Sequence, residues 1–158
     1  MSISILLYRV SQAEKIDDLT DLEKQLEDGM DQYTDLYKMY HDLALIFSNS
    51  IHPYANPQAI EYRAIFGNPH RLNVGANEIG GFIPSSQIPE INAWIKEKGL
   101  NSPQGFYRMY DNLNADVQEE LLEISSVPKE DLYLYVKELT DLYEAAEQGH
   151  NSIVICAG

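Results

Sequence analysis

An α+β fold with both chain ends in one small sheet is predicted by three observations. The chain opens with SISILLYRV and closes with HNSIVICAG, two short apolar stretches rich in β-branched residues. Most of the residues between them repeat apolar positions at helical spacing. The length of 158 residues, 44% hydrophobic and 23% charged, is that of one ordinary globular domain, here expected to span residues 1–158. A domain of that size buries about 70% of the surface its unfolded chain exposes and needs no metal or disulfide to hold it together.

The first stretch places Ile3, Ile5 and Leu7 on one face and Leu6, Tyr8 and Val10 on the other, which predicts a strand covered on both sides. Ser11 to Glu14 reads SQAE, a capping-box pattern, so a helix is expected from there through Ile16, Leu19, Leu22 and Leu26, stopping at Gly29. The block DQYTDLYKMYHDLALIFSN, residues 31–49, reads as a second amphipathic helix bearing Tyr33, Leu36, Tyr37, Tyr40, Leu43, Ile46 and Phe47 on one side. Pro53 and Pro57 break the chain before a short helix around Gln58 to Phe66, and Gly67, Asn68 and Pro69 break it again. HRLNVGANEIGGF is glycine-rich and reads as either a short strand or a loop.

Ser85 or Ser86 is expected to cap a helix through Ile88, Ile91, Trp94 and Ile95 that ends at Gly99, with Pro89 tolerated in its first turn. Ser102 and Pro103 start another helix, and Asp116 to Ile124 make a further acidic one. The last helix follows Ser126 and Pro128, burying Leu132, Tyr135, Val136, Leu139, Leu142 and Ala146, with Gly149 at the left-handed position that ends it. HNSIVICAG is then a strand beside SISILLYRV. Cys156 is expected as a small buried apolar residue, since nothing near it in sequence supplies the cation or helix start that activates a thiol.

Several of these segments, in this order, resemble the YfbM-like family, a bacterial family of unknown function: MSISILLYRVS, LYKMYHDLALIFSN, NPQAIEYRAIFGNP, GGFIPSSQIPEINAWI and LTDLYEAAEQGHNSIVICAG. Within them the resemblance rests on the two terminal strands, on Tyr40 and His41 in the second helix, and on Leu142, Tyr143, Ala146 and Gly149 leading into the last strand. At Tyr37 this chain departs from the family, where a tryptophan is common. The resemblance implies an α+β fold and a soluble bacterial protein. It implies no catalytic residue.

The formal net charge of −14 is unevenly distributed. Residues 14–42 hold ten acidic and three basic side chains, residues 111–147 hold eleven and two, and residues 43–110 hold four and five. Two acidic blocks flank a nearly neutral centre, a field that repels nucleic acid and anionic lipid and attracts a basic protein. Neither a signal-peptide pattern nor an apolar stretch near the roughly 20 residues of a membrane span is present, and one cysteine forms no internal disulfide, which points to a cytoplasmic protein.

Chemical motifs are sparse. The four histidines, 41, 52, 70 and 150, are never closer than eleven residues, so no helical zinc pair exists. Neither GxGxxG, GxxxxGK[ST] nor GxSxG occurs, and no cofactor, metal or catalytic residue is assigned. Two readings remain. In the first, the chain is a non-enzymatic acidic binding module of immunity or inhibitor type, contacting a basic partner through Asp31, Tyr33, Asp35, Tyr37 and Asp42 on the second helix. In the second, His41, Arg63, His70 and Arg71 converge around the glycine-rich centre on a small molecule, in a binding protein or an enzyme.

Overall fold

The computed structural model describes residues 4–28, 33–125 and 127–157. Ile3, Gly29, Asp31 and Ser126, singled out above, lie outside them. Among the described residues, five strands and seven α-helices follow one another as β1 (Ile5–Val10), α1 (Leu22–Asp28), β2 (Tyr33–Asp35), α2 (Tyr40–Ser48), α3 (Ile60–Phe66), β3 (Asn68–Val74), β4 (Asn77–Ile83), α4 (Ile88–Lys98), α5 (Pro103–Asp111), α6 (Ala115–Ile124), α7 (Lys129–Gln148) and β5 (Ser152–Ala157). Among these residues no helix is long and apolar enough to cross a membrane.

The strands form one sheet in the order β2-β1-β5-β4-β3, each pair antiparallel. The two ends of the chain lie side by side, from Ile5 opposite Ala157 to Val10 opposite Ser152. β5 is the central strand, and its apolar run is what a strand covered on both faces requires. Leu7, Ile83, Ile153 and Ile155 face the large core built by α2 to α7. Val10, Ile79, Phe82, Val154 and Cys156 face a smaller core closed by Ala13, Ile16, Leu19, Leu22 and Leu26. Burial pushes the Cys156 thiol up to about 12, so it stays protonated at neutral pH.

Three expectations are corrected, and the open reading of the glycine-rich centre is settled. The SQAE segment does not start a helix: the Ser86 hydroxyl donates to Glu14 Oε2, the Ser11 N–H donates to Gln25 Oε1, and the first α-helix begins only at Leu22. Residues 33–39 are not α-helical: Tyr33–Asp35 are a strand and Tyr37–Met39 a single 3-10 turn. Tyr33, Thr34 and Asp35 pair with Tyr8, Leu7 and Leu6 as an edge strand, and the α-helix begins at Tyr40. The glycine-rich centre resolves as a hairpin, β3 with β4, with a register shift between Pro69 and Leu72. Finally, α7 closes with His150, not Gly149, in the left-handed conformation at φ +52°.

That closure is a Schellman motif: the His150 N–H donates to the Glu147 carbonyl at 3.2 Å and the Asn151 N–H to that of Ala146 at 2.8 Å. Gly149 is needed for room, because a Cβ there would sit 2.4 Å from Asn151 Oδ1. α7 also buries Tyr143 where Tyr135, half-buried, was expected to contribute more, and the Tyr143 hydroxyl donates to the Ala64 carbonyl of α3 at 2.6 Å.

Candidate functional site

After β2 the chain must turn from the sheet edge into α2, and Asp35 directs the turn. Its Oδ1 accepts the Tyr37 N–H at 2.8 Å and also the Ser4 hydroxyl. Leu36 is pinned into the large core, and Tyr37 takes a left-handed backbone at φ +49°. For a residue with a Cβ that conformation costs about 1–2 kcal/mol. The cost is not recovered by burial: the Tyr37 ring leans edge-on against Tyr135 of α7, centroids 6.3 Å apart, and stays 57% exposed. A strained backbone that presents a large aromatic to solvent suggests a use for the side chain outside the fold.

Tyr33, on the edge strand just before this turn, points to the other face of the sheet, where it stacks on Tyr8 at 5.5 Å and remains 37% exposed. The Thr34 hydroxyl donates to the Glu138 carbonyl, which fixes α7 alongside β2. The solvent side of α7 then carries Asp131, Leu134, Glu138 and Asp141, spaced three and four residues apart, with Leu134 60% exposed. Tyr37, an exposed leucine and an acidic helix therefore share one side of the molecule.

Among the proposed partner residues, Tyr37 stands on this surface, on a turn rather than a helix, while Tyr33 sits on an edge strand and points to the other face of the sheet. Asp35 is engaged in holding the turn. Asp42 is buried at 4% exposure, away from any partner, and burial raises its carboxyl above the usual range, opposed by Ser125 and His41 beside it. Asp31 lies outside the described residues.

The proposed small-molecule residues occupy different settings. His41 stacks on Tyr54 and its Nδ1 meets the Tyr54 hydroxyl. Tyr40, Tyr54 and Tyr62 surround Phe66 at 6.1, 5.6 and 4.8 Å between centroids, distances of rings already in contact, with no space for a ligand between them. Burial pushes the Tyr54 hydroxyl up to about 12, so it is no base at neutral pH. Arg63 is committed to the Gln58 carbonyl, Gln87 and Glu90, the last at 2.7 Å. His70 and Arg71 lie on the outer strand β3, with no side-chain hydrogen bond to either group among the described residues.

A groove of about 760 Å³ runs between α4 and α7, with Asn92 and Lys96 on one wall and Lys137, Asp141, Glu144 and Glu147 on the other. Asn92 is fixed by the Tyr143 carbonyl and Glu147, and Lys137 by Asp141. None of the sequence-predicted residues lines it. Among the described residues no three His, Cys, Asp or Glu side chains gather closely enough to hold a metal ion.

No family model and no curated protein matches the chain. Among solved structures, the fold is similar to that of YfbM from Escherichia coli, itself a protein of unknown function, with a TM-score of 0.59 over 98% of this chain and 99% of that one. Identity is 13%, so the likeness carries the fold alone: the architecture is YfbM-like.

Proposed function

We propose that this chain is a non-enzymatic protein-binding module of the YfbM-like family, and that it docks a basic partner on the surface formed by Tyr37 and the exposed side of α7. The observation that carries the reading is Tyr37, an aromatic held in a costly conformation and left exposed. Tyrosine is enriched among the residues that dominate binding energy, because a rigid ring supplies contact area while its hydroxyl stays wet. The acidic helix beside it supplies attraction to a basic surface, which raises the rate of encounter more than the final affinity. A small acidic inhibitor or immunity protein would use such a surface in this way.

The test uses Tyr37 against itself. Tyr37→Gly removes both the ring and the strain, so the variant is expected to be as stable as the parent or more so, by up to about 1 kcal/mol, while losing the partner. Both proteins are used to capture partners from a lysate of the native cells at low and physiological salt. A stoichiometric basic protein held by the parent, weakened by salt and absent from Tyr37→Gly, supports the proposal. A partner captured equally by both, or no partner at either salt, refutes it.

A further inference from the structure

The single tryptophan of the chain opens onto a second groove. Trp94 lies on α4, 8% exposed, with its ring edge-on to Phe47 of α2 at 5.4 Å between centroids. With Met109 and Leu113 these rings line a space of about 690 Å³ where the last turns of α2, α4 and α5 meet. That volume lies in the range of sites for drug-sized molecules, and the lining joins an apolar strip of Ile46, Phe47, Trp94, Met109 and Leu113 to a rim of polar and charged side chains.

The polar groups indicate what such a molecule must carry. No acceptor among the described residues takes the Trp94 indole N–H, yet no side-chain nitrogen or oxygen sealed from solvent lacks a partner. The N–H therefore reaches solvent, and Trp94 is among the residues that line this groove. An indole N–H only donates, so a bound group that displaces water from it must bring an acceptor. Lys98, one turn beyond Trp94 on α4, and Arg108 of α5 stand at the same groove and make no ion pair among the described residues. A guanidinium offers the paired donors that fit a carboxylate.

We propose that this groove binds a small molecule with an apolar, ring-sized body and a terminal carboxylate. The body lies on Phe47, Trp94 and Met109, and the carboxylate accepts from the indole N–H and from Arg108, with Lys98 adding charge. Glu61 and Glu97 share the rim and define the rival, an amine. An amine offers the indole N–H nothing to donate to, and that difference decides between the two. This site is separate from the tyrosine-bearing surface and stands or falls independently of it.

One tryptophan gives one indole resonance in a nitrogen-15 spectrum, so the probe reports from inside the site. The labelled protein is titrated to about 10 mM, the range of weak fragment binding, with benzoate, phenylacetate and 3-phenylpropionate, and in parallel with benzylamine and phenethylamine. At least one carboxylate is expected to move the indole resonance saturably, and Arg108→Gln, an exposed position, to weaken that ligand at least tenfold with an unchanged unfolding midpoint. Neither amine is expected to move it. The proposal is overturned if no carboxylate gives a saturable shift, if an amine shifts the resonance equally, or if Arg108→Gln binds the ligand as tightly as the parent.

Discussion

Ser152, at the start of the central strand, uses every hydrogen-bonding capacity of its hydroxyl. It donates to the Ala13 carbonyl at 2.9 Å and accepts the N–H groups of Ala13 at 3.0 Å and Ser85 at 3.1 Å. One buried oxygen thus ties β5 to the segment that closes the small core and to the turn before α4. Replacing it by alanine leaves the buried Ala13 N–H without a partner, while the Ser85 N–H keeps a longer bond to the Ala13 carbonyl at 3.4 Å; an orphaned buried donor costs about 1–3 kcal/mol. Ser152→Ala is expected to lower stability by about 2 kcal/mol in denaturant titration. Asp42 acts in the opposite direction. Its carboxyl is raised by burial, so the folded state prefers the protonated form; its contribution is fully present below the ordinary carboxyl range and is lost as pH rises through the folded value. Asp42→Asn keeps the shape and removes the charge. It is expected to raise the thermal midpoint at pH 7 by about 2–4 °C, with the advantage over the parent gone near pH 3. An equal or lower midpoint at pH 7 would mean that Ser125 and His41 outweigh the burial.

The end of α7 shows a helix stop that works despite an unfavourable residue. His150 holds the left-handed conformation that glycine adopts freely, and Gly149 before it is needed for a different purpose, room for the Asn151 side chain that also accepts from Arg9 at 3.0 Å. His150→Gly is expected to stabilise the protein by about 1 kcal/mol, read as a shifted denaturant midpoint with unchanged slope. The same element shows why a glycine at a helix end was legible as a stop but not as to which residue turns left-handed: the one-residue difference depends on Asn151, a tertiary neighbour. The terminal strands and α4 to α7 were legible because long apolar periods and Ser-Pro or Gly boundaries agree there. Residues 33–39 were not, since Tyr33, Tyr37 and Tyr40 happen to match helical spacing, while pairing with β1 and the Asp35 carboxylate impose a strand and a turn. Tyr33 and Tyr37 were therefore read as surface residues on the wrong scaffold. The Trp94 groove was not legible at all, because three helix ends far apart in sequence build it.

Across the molecule, the −14 charge acts on stability through two opposing effects of salt. Screening weakens the ion pairs, but it also weakens repulsion within the two acidic blocks. The described ion pairs are Arg63–Glu90, Lys129–Asp111 and Lys137–Asp141, each with an acidic partner more than half exposed. Exposed pairs contribute about 0–1 kcal/mol apiece, and water already screens most of that. The repulsion is more extensive, since residues 14–42 and 111–147 together carry twenty-one acidic side chains against five basic ones. The second block is concentrated on α6 and α7, where like charges lie within about a Debye length of one another. Repulsion should win. The thermal midpoint is expected to rise between about 10 and 150 mM sodium chloride, where the Debye length falls from about 30 to 8 Å, and to change little with further salt. A midpoint that falls with salt would mean that attractions, not the acidic blocks, dominate the field, and the same result would remove the electrostatic basis for choosing a basic partner.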